Sequence, residues 1–395
     1  MSGRARRAAA LLAVVVSVVA CGGGEEGAGD VDRTDTSRDT AASTVASSST
    51  PTAALLPTAP PTNAPFPTVD AGGTTTASTE TAATGTGSTG STGTGSTGTG
   101  PPGSVMPQPL VGVAVKRGNP DLVEQIAAAA DARLGMVRVF ARWDTPFPDA
   151  GHQRLLDAGY DLHLSVRPRT DDRRIIPWRA IAEADEGEEA HDRLRWWLEQ
   201  VAGHDGRILF TLNHEPETTD SAPNGTAEEY VAAWRRMDSM LASVDGGDAV
   251  STVFVVSRGP YANGKVEEWY PGDDVVDVIG VDAYNWFDCQ GTDRPWTEPA
   301  ELLAPVVDFA DARGKPLIVG EIASTEDPDD PDRKAAWIRR LDDLLAGPLA
   351  GTVTHLAWFD VDDPVWPDCR WRHDSSPAAA DAFAALLRNH QPPSP

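Results

Sequence analysis

Two glutamates occupy the same kind of position in this sequence, each at the end of a strongly apolar run. Glu215 lies in the segment Asn213-His214-Glu215-Pro216, directly after Ile208–Leu212, and Glu321 follows residues 316–319 and Gly320. A carboxylate that follows a buried parallel strand lies at the rim where barrel enzymes hold their catalytic groups. Two carboxyl groups that face one cleft are the arrangement that cleaves glycosidic bonds.

The elements that would position these glutamates alternate regularly between strand and helix patterns. The helix-period segments are 121–134, 191–201, 226–244, 298–313, 332–345 and 377–388, and the unit after the fifth strand has only 265–269. Eight apolar runs read as strands: 110–115, 136–143, 161–166, 207–214, 251–257, 275–284, 316–321 and 353–359. This alternation predicts repeated βα units. No Gly-rich phosphate loop follows the first run, which favours an α/β (β/α)₈ TIM barrel over a doubly wound sheet.

The first 21 residues have the pattern of a targeting segment. A basic start is followed by an apolar stretch, residues 8–19, that is too short to span a bilayer. The stretch ends Val18-Val19-Ala20-Cys21, which resembles a bacterial lipobox, although an ordinary cleavable signal remains the alternative. We expect lipidation at Cys21 and an extracytoplasmic protein anchored to the bacterial cell membrane through this N-terminus alone.

Residues 22–104 are rich in Ser, Thr, Gly and Pro and contain almost no large apolar side chains. Such a composition buries too little surface to offset the entropy of ordering, so we predict a disordered tether. The remaining segment, residues 105–395, has the size of one barrel domain.

The charge of that domain excludes several classes of partner. The signal and tether hold five of the 33 basic and eight of the 59 acidic side chains, which leaves the domain 28 basic and 51 acidic groups. Such an excess of negative charge argues against binding to nucleic acid or polyanionic glycans. A neutral polysaccharide or oligosaccharide is compatible with it.

Several stretches resemble glycoside hydrolase family 26, the β-mannanase-like family within a large clan of retaining (β/α)₈ glycosidases. They are the His214-Glu215 pair, the segment 225–236, the block from Trp269 to Asn285 and the Gly320-Glu321 turn. The sequence departs from the family where an arginine is usual four residues before the acid/base, because Thr211 stands there. It also has Val256-Ser257-Arg258-Gly259 in place of a Trp-Ser-Pro-Asn-like turn, and Glu217 in place of a small polar residue.

The resemblance assigns roles to individual residues. Glu321 would be the nucleophile, kept ionised by donors that include the Tyr284 hydroxyl, and Glu215 would be the acid/base. His214 would hold the Glu215 carboxyl or contact sugar. Each has an alternative: Tyr284 and His214 could be packing residues, and Glu217 is a rival for the role of Glu215. The implied enzyme is a retaining endo-β-glycanase, most simply a β-1,4-mannanase. The alternative is a surface lipoprotein that binds carbohydrate without cleaving it.

Tryptophan is abundant near the predicted strand ends, which suits a sugar cleft because indole faces stack on pyranose rings. Trp143, Trp286 and Trp358 are the predicted sugar contacts, the alternative being that such residues pack loops.

Cys289 and Cys369 are the two cysteines of the domain, and both follow predicted strands. They would form a disulfide outside the cytoplasm, or else be two separate buried side chains. The acidic segment 326–332 lacks the fixed ligand spacing of a calcium loop, so neither metal nor cofactor is expected, and we expect a monomer.

Overall fold

The computed structural model describes residues 108–204, 207–289, 294–362 and 368–393. The predicted signal, the lipidation site Cys21 and the whole tether, residues 22–104, lie outside these residues. Within the described part of the chain, no helix has the length and apolar character needed to cross a membrane.

Eight parallel strands close into a barrel in sequence order, β1 pairing with β8, which confirms the predicted fold. The strands are β1 (Leu110–Val115), β2 (Met136–Arg142), β3 (Asp161–Arg167), β4 (Ile208–Leu212), β5 (Ser251–Ser257), β6 (Val278–Asn285), β7 (Leu317–Ser324) and β8 (Val353–Asp360). The largest differences from the prediction are in β6, which begins three residues later than predicted, and in β7, which continues three residues past Glu321.

Nine α-helices among the described residues surround the barrel. They are α1 (Pro120–Ala130), α2 (Ala150–Asp157), α3 (Trp178–Glu183), α4 (Glu189–Ala202), α5 (Ala227–Leu241), α6 (Arg258–Asn263), α7 (Pro299–Asp311), α8 (Arg333–Ala346) and α9 (Pro377–Asn389). The sequence analysis missed α2, α3 and α6, because six to eight residues give too little apolar periodicity to recognise.

Local signals explain where the longer helices begin. The Thr226 side chain accepts a hydrogen bond from the Glu229 backbone N–H, and the Glu229 carboxylate accepts from the Thr226 N–H, which forms a capping box at α5. Asn119 caps α1 before Pro120, and Ser376 caps α9 before Pro377. These caps satisfy backbone donors that would otherwise lack partners at the helix start.

The core consists of two apolar layers separated by the strands. A large layer between the sheet and the helices contains Trp197, Trp234, Trp337 and Phe383, all fully buried. A small layer inside the barrel consists of Met136, Leu209, Val253, Val255, Val278, Ile318 and Ala357. The inward-facing positions that follow along several strands carry polar and charged side chains, and these form the site described next.

Candidate active site

Glu321 points into the barrel because β7 contains a bulge. Val281 of β6 pairs with Val319, and the next residue, Asp282, pairs with Glu321, so Gly320 is left without a partner on β6. In a regular strand Val319 and Glu321 would share a face. Because Val319 packs in the outer layer, the extra residue is what turns Glu321 inward. Its side chain is fully buried.

Glu215 is positioned by a turn rather than by a strand. β4 ends at Leu212, and both Asn213 (φ 50°) and Glu215 (φ 44°) have left-handed backbone conformations. The Glu215 N–H donates to the Val255 carbonyl across 3.0 Å, which anchors the turn to β5. Side chains other than Gly rarely adopt such backbone angles, and these outliers cluster at functional sites.

His214 is a neutral, nearly buried residue of the same turn. Its Nδ1 lies 2.6 Å from Ser165 Oγ of β3, and its ring packs edge-on against Phe140 at 5.5 Å. Burial holds the pKa of His214 well below its usual range, and the positive charges of Arg138 and Arg167 lower that pKa further. A neutral imidazole keeps one ring nitrogen as an acceptor and one as a donor. His214 lies next to Glu215 in the same turn, and its role in holding the Glu215 carboxyl or contacting sugar stays a prediction.

Arg138 and Asp282 are two further charged residues of this centre. The sequence analysis did not predict a catalytic role for either of them. Arg138 of β2 is fully buried, and the negative charges of Asp282, Glu321 and Glu215 all act on it. Burial raises the pKa of Asp282 well above its usual range, and the charge of Glu215 adds to that effect. The detectable signal was position, since Asp282 lies two residues before Tyr284 and therefore shares its face of β6.

Glu217, the rival acid/base, also lies close to this centre. Its carboxylate accepts a hydrogen bond from the Ser257 N–H at 2.7 Å, at the end of β5. Burial raises the pKa of Glu217. The charges of both Glu215 and Glu217 act on Asp282, that of Glu215 more strongly, and the choice of Glu215 as the partner of Glu321 stays a prediction.

An aromatic wall, defined as Tyr284, Trp286, Phe359 and Trp371, borders this centre. Tyr284 contacts each of the other three, with ring centroids 5.1, 5.7 and 4.9 Å away. Tyr284 and Trp286 are partly exposed, as sugar contacts must be. The predicted hydrogen bond from Tyr284 to Glu321 stays a prediction.

A disulfide joins Cys289 to Cys369, with Cα atoms 5.0 Å apart. Cys289 follows Trp286 in the loop after β6, and Cys369 precedes Trp371 in the segment after β8. The bridge therefore links the two loops that carry the outer members of the aromatic wall. This is the pairing that the sequence analysis considered.

Two predicted sugar contacts face the helices instead of the cleft, and both predictions are corrected. Trp358 is fully buried, donates from Nε1 to the Trp371 carbonyl at 3.0 Å and packs on Phe383 of α9. Trp143 is 1% exposed and lines a cavity outside the barrel with Ile176 and Ala180. Strand alternation explains both cases, because their inward neighbours are Phe359 and Arg142.

Among the described residues, one group has the spacing of metal ligands: Asp360, His373 and Asp374. Asp360 accepts hydrogen bonds from the His373 backbone N–H and from its Nδ1, both at 2.7 Å. Asp374 is paired with the Arg372 guanidinium. Because protein partners already engage these groups, the cluster needs no ion to explain it.

Comparison with known proteins connects this geometry to one family. The model of glycosyl hydrolase family 26 matches residues 189–322, a segment that contains both Glu215 and Glu321. The chain is 29% identical over 163 residues to endoglucanase H of Acetivibrio thermocellus, covering 41% of this chain and 17% of that protein. It is 30% identical over 104 residues to a β-1,3-xylanase from an Alcaligenes species, covering 26% of this chain and 20% of the relative.

Solved structures share the fold. The catalytic domain of a family 26 endo-β-1,4-mannanase from Bacillus sp. JAMB-750 superposes with a TM-score of 0.51 at 15% identity, over 72% of this chain and 87% of that one. A family 26 β-mannanase from Bacteroides ovatus gives a TM-score of 0.51 at 16% identity, over 72% and 90%. These structures show the same fold, and the match of the family 26 model confirms the resemblance inferred from the sequence.

Proposed function

We propose that this chain, which matches the model of glycosyl hydrolase family 26 over residues 189–322, is a retaining endo-β-glycanase that hydrolyses a neutral polysaccharide. The observation that supports this most strongly is that Glu215 and Glu321 are both buried where β4 and β7 lead to the same rim of the barrel, Glu321 being turned inward by the β7 bulge. The charges of both glutamates act on the buried Arg138, which is consistent with one common centre. In a retaining enzyme their carboxyl groups are about 5–5.5 Å apart, which is the separation we expect for this pair.

The proposed reaction has two steps. Glu321 attacks the anomeric carbon as a carboxylate while the bond to the leaving oxygen breaks and that oxygen takes the proton of Glu215. Glu215 then removes a proton from water, the hydroxide attacks the same carbon, and the ester bond to Glu321 breaks. Atoms balance at one water consumed per bond cleaved.

β-1,4-Mannan is the proposed substrate. Two of the solved structures that share the fold are mannanases, while two curated relatives are an endoglucanase and a β-1,3-xylanase. The domain's acidic charge favours a neutral polymer. The partly exposed rings of Tyr284 and Trp286 suit stacking on pyranose faces.

We also propose that the enzyme is a monomer anchored outside the cell by lipid at Cys21. The lipobox-like end of the signal supports the anchor. Labelling with a radioactive fatty acid in the wild type, but not in Cys21→Ser, tests it. Label in both forms or in neither would reject lipidation at this residue.

The stereochemistry of the first product tests the central proposal. The protein is incubated with mannan, β-glucan and xylan oligosaccharides, and the anomer released first is read by proton NMR before mutarotation. We expect the β-anomer, formed fastest from mannan. Initial release of the α-anomer would reject the retaining mechanism. Tight binding without new reducing ends would instead favour the non-catalytic lipoprotein.

A further inference from the structure

The two neighbours of β4 pair with it to different extents. β3 pairs with β4 over five residue pairs, up to the end of β4, whereas β5 pairs with it over two, the second being Phe210 with Thr252. Because β5 continues to Ser257, its later backbone groups that face β4 need other partners. The first of them, the Val253 carbonyl, accepts a hydrogen bond from the Thr211 hydroxyl at 2.7 Å.

The next two groups along β5 find partners on the segment that carries the proposed acid/base. The Val255 carbonyl accepts from the Glu215 N–H at 3.0 Å, and the Ser257 N–H donates to the Glu217 carboxyl oxygen Oε1 at 2.7 Å. Alternate residues of a strand face the same neighbour, so residues 253, 255 and 257 form one continuous edge. The Glu217 side chain therefore supplies the acceptor that a longer β4 would have offered through its backbone.

This contact holds a backbone that is unfavourable by itself. Asn213 and Glu215 both have positive φ angles, and such residues persist only where the surrounding structure fixes them. The Thr218 N–H and hydroxyl donate to the Glu215 carbonyl at 3.3 and 3.0 Å, so the chain folds back directly after Glu215. Glu217 lies inside this fold, two residues from the group whose position matters.

The opposite side of the segment is attached to β3 by another acid. The Asp220 carboxylate pairs with Arg167 at the end of β3, and the Asp220 carbonyl accepts from Arg169 Nη2 at 3.1 Å. Two acidic side chains after Glu215 thus connect the segment to both neighbouring strands, Asp220 to β3 and Glu217 to β5.

We propose that Glu217 is a positioning residue for Glu215, and that it is not itself the acid/base. Its carboxyl oxygen completes the edge of β5 and fixes the strained turn from which Glu215 reaches the glycosidic oxygen. An amide oxygen can accept the Ser257 N–H equally well, whereas transfer of a proton to the leaving group requires an acid. The inference rests on the proposed function and assigns one further residue.

Three variants test this role: Glu217→Gln, Glu217→Ala and the control Glu229→Ala. The Glu229 carboxylate also accepts a backbone N–H, that of Thr226 at 3.0 Å, but at the start of the outer helix α5. With a mannan oligosaccharide, Glu217→Ala should lower kcat/KM by about 100-fold, because Glu215 is displaced. Glu217→Gln should stay within about threefold of the wild type, since the acceptor is kept. Glu229→Ala should leave kcat/KM unchanged.

A second substrate connects the effect to Glu215. A dinitrophenyl β-glycoside of mannobiose releases its leaving group without a proton, so its kcat/KM does not depend on a general acid. Glu217→Ala should therefore lose less than about 10-fold with this substrate. Equal losses with both substrates would show a general structural defect and overturn the connection to Glu215.

The amide variant separates positioning from acid/base catalysis. A folded Glu217→Gln protein as inactive as Glu217→Ala would make Glu217 the acid/base and overturn the inference, as would wild-type kcat/KM in Glu217→Ala. If Glu217→Ala does not fold, Glu217→Asp replaces it, because its shorter acid no longer reaches the Ser257 N–H. Glu217→Asp should then be impaired where Glu217→Gln is active, and the reverse order overturns the inference.

A measurement without substrate keeps this inference separate from the proposed function. Amide hydrogen exchange at Glu215 and Ser257 reports how firmly the turn is attached to β5. Exchange should become faster in Glu217→Ala and Glu217→Asp and stay at the wild-type rate in Glu217→Gln. Equal rates in all forms reject the role of Glu217, whereas a wild type that cleaves no glycan rejects only the proposed function.

Discussion

The two faces of the barrel strands carry different kinds of residue, even though those residues are neighbours in the sequence. Glu321 points to the barrel axis while Ile322 packs in the outer layer, and the adjacent residues Trp358 and Phe359 divide in the same way. Two neighbouring residues of one strand therefore have different roles, because side chains alternate between the faces. One faces the candidate active site, and the next packs against the helices.

The largest expected effect is the difference in activity between a variant of Glu321 and a variant of its neighbour Ile322. Glu321→Ala should lower kcat by at least about 10⁴-fold with the fold intact, because the nucleophile is lost. Added azide should partly restore cleavage with inverted stereochemistry. Both are measured with mannan oligosaccharides.

Ile322→Ala is the matched control on the other face. It should cost about 2–5 kcal/mol of unfolding free energy, since a fully buried side chain is removed. Its kcat per folded molecule should stay close to the wild-type value. Near-normal turnover in Glu321→Ala would end the assignment of the nucleophile.

The next largest effect is a difference in stability between variants of Trp358 and Trp286, which the sequence analysis both predicted to contact sugar. Trp358→Ala should cost about 3–5 kcal/mol in urea unfolding, because a core ring leaves a cavity. Trp286→Ala should cost about 1 kcal/mol, the scale of one aromatic pair, and should raise KM. An altered KM with unchanged stability in Trp358→Ala would show that our assignment of its face is incorrect.

Two buried cations extend the comparison to charge. Lys334 of α8 lies in the outer layer, where Nζ donates to the carbonyls of Arg370 and Arg372 and to Ser375 Oγ. Burial lowers the pKa of Lys334 to about 7 from 10.5, so between these values the unfolded chain binds more protons than the folded one. The unfolding free energy should therefore rise with pH in that window, by at most about 1.4 kcal/mol per pH unit for one group.

The measurement is the difference between the wild type and Lys334→Met, because other titrating groups cancel. The wild type should gain stability relative to the variant as the pH rises from 7 to 10. A difference that falls over this range would contradict the depressed pKa. Because Lys334 lies outside the barrel centre, Lys334→Met should leave the pH dependence of activity unchanged.

The smallest expected effect concerns the backbone conformation at the two glutamates. Glu215 has a positive φ, so Glu215→Gly should be more stable than Glu215→Ala by about 1 kcal/mol. At Glu321, within a strand, the order should reverse, with Gly less stable than Ala by about 0.5–1 kcal/mol. Urea unfolding of the four inactive variants measures this. A Glu215→Ala variant at least as stable as Glu215→Gly would show that the turn after β4 holds no backbone strain.

The sequence predicted the elements and the pair of acids because these features are local. Apolar runs bounded by turn residues located the eight strands, β1 and β5 to the residue. Thr226, followed by Glu228 and Glu229, is a local start signal for α5 that the sequence shows directly. Glu215 and Glu321 were detectable because each is a charged residue at the end of an apolar run.

Only the tertiary structure decided which face each residue presents and which charges meet. Strands buried on both faces are apolar throughout, so their sequence carries no alternation from which to assign a face to Trp358 or Trp143. The bulge at Gly320 depends on pairing with β6, and no local pattern marks it. Arg138, Glu215, Asp282 and Glu321 come from four distant parts of the chain, and their effect on one another arises from shared burial. Closure of the barrel removes the water that would otherwise screen those charges, which is why the strand order and not the sequence pattern created the site.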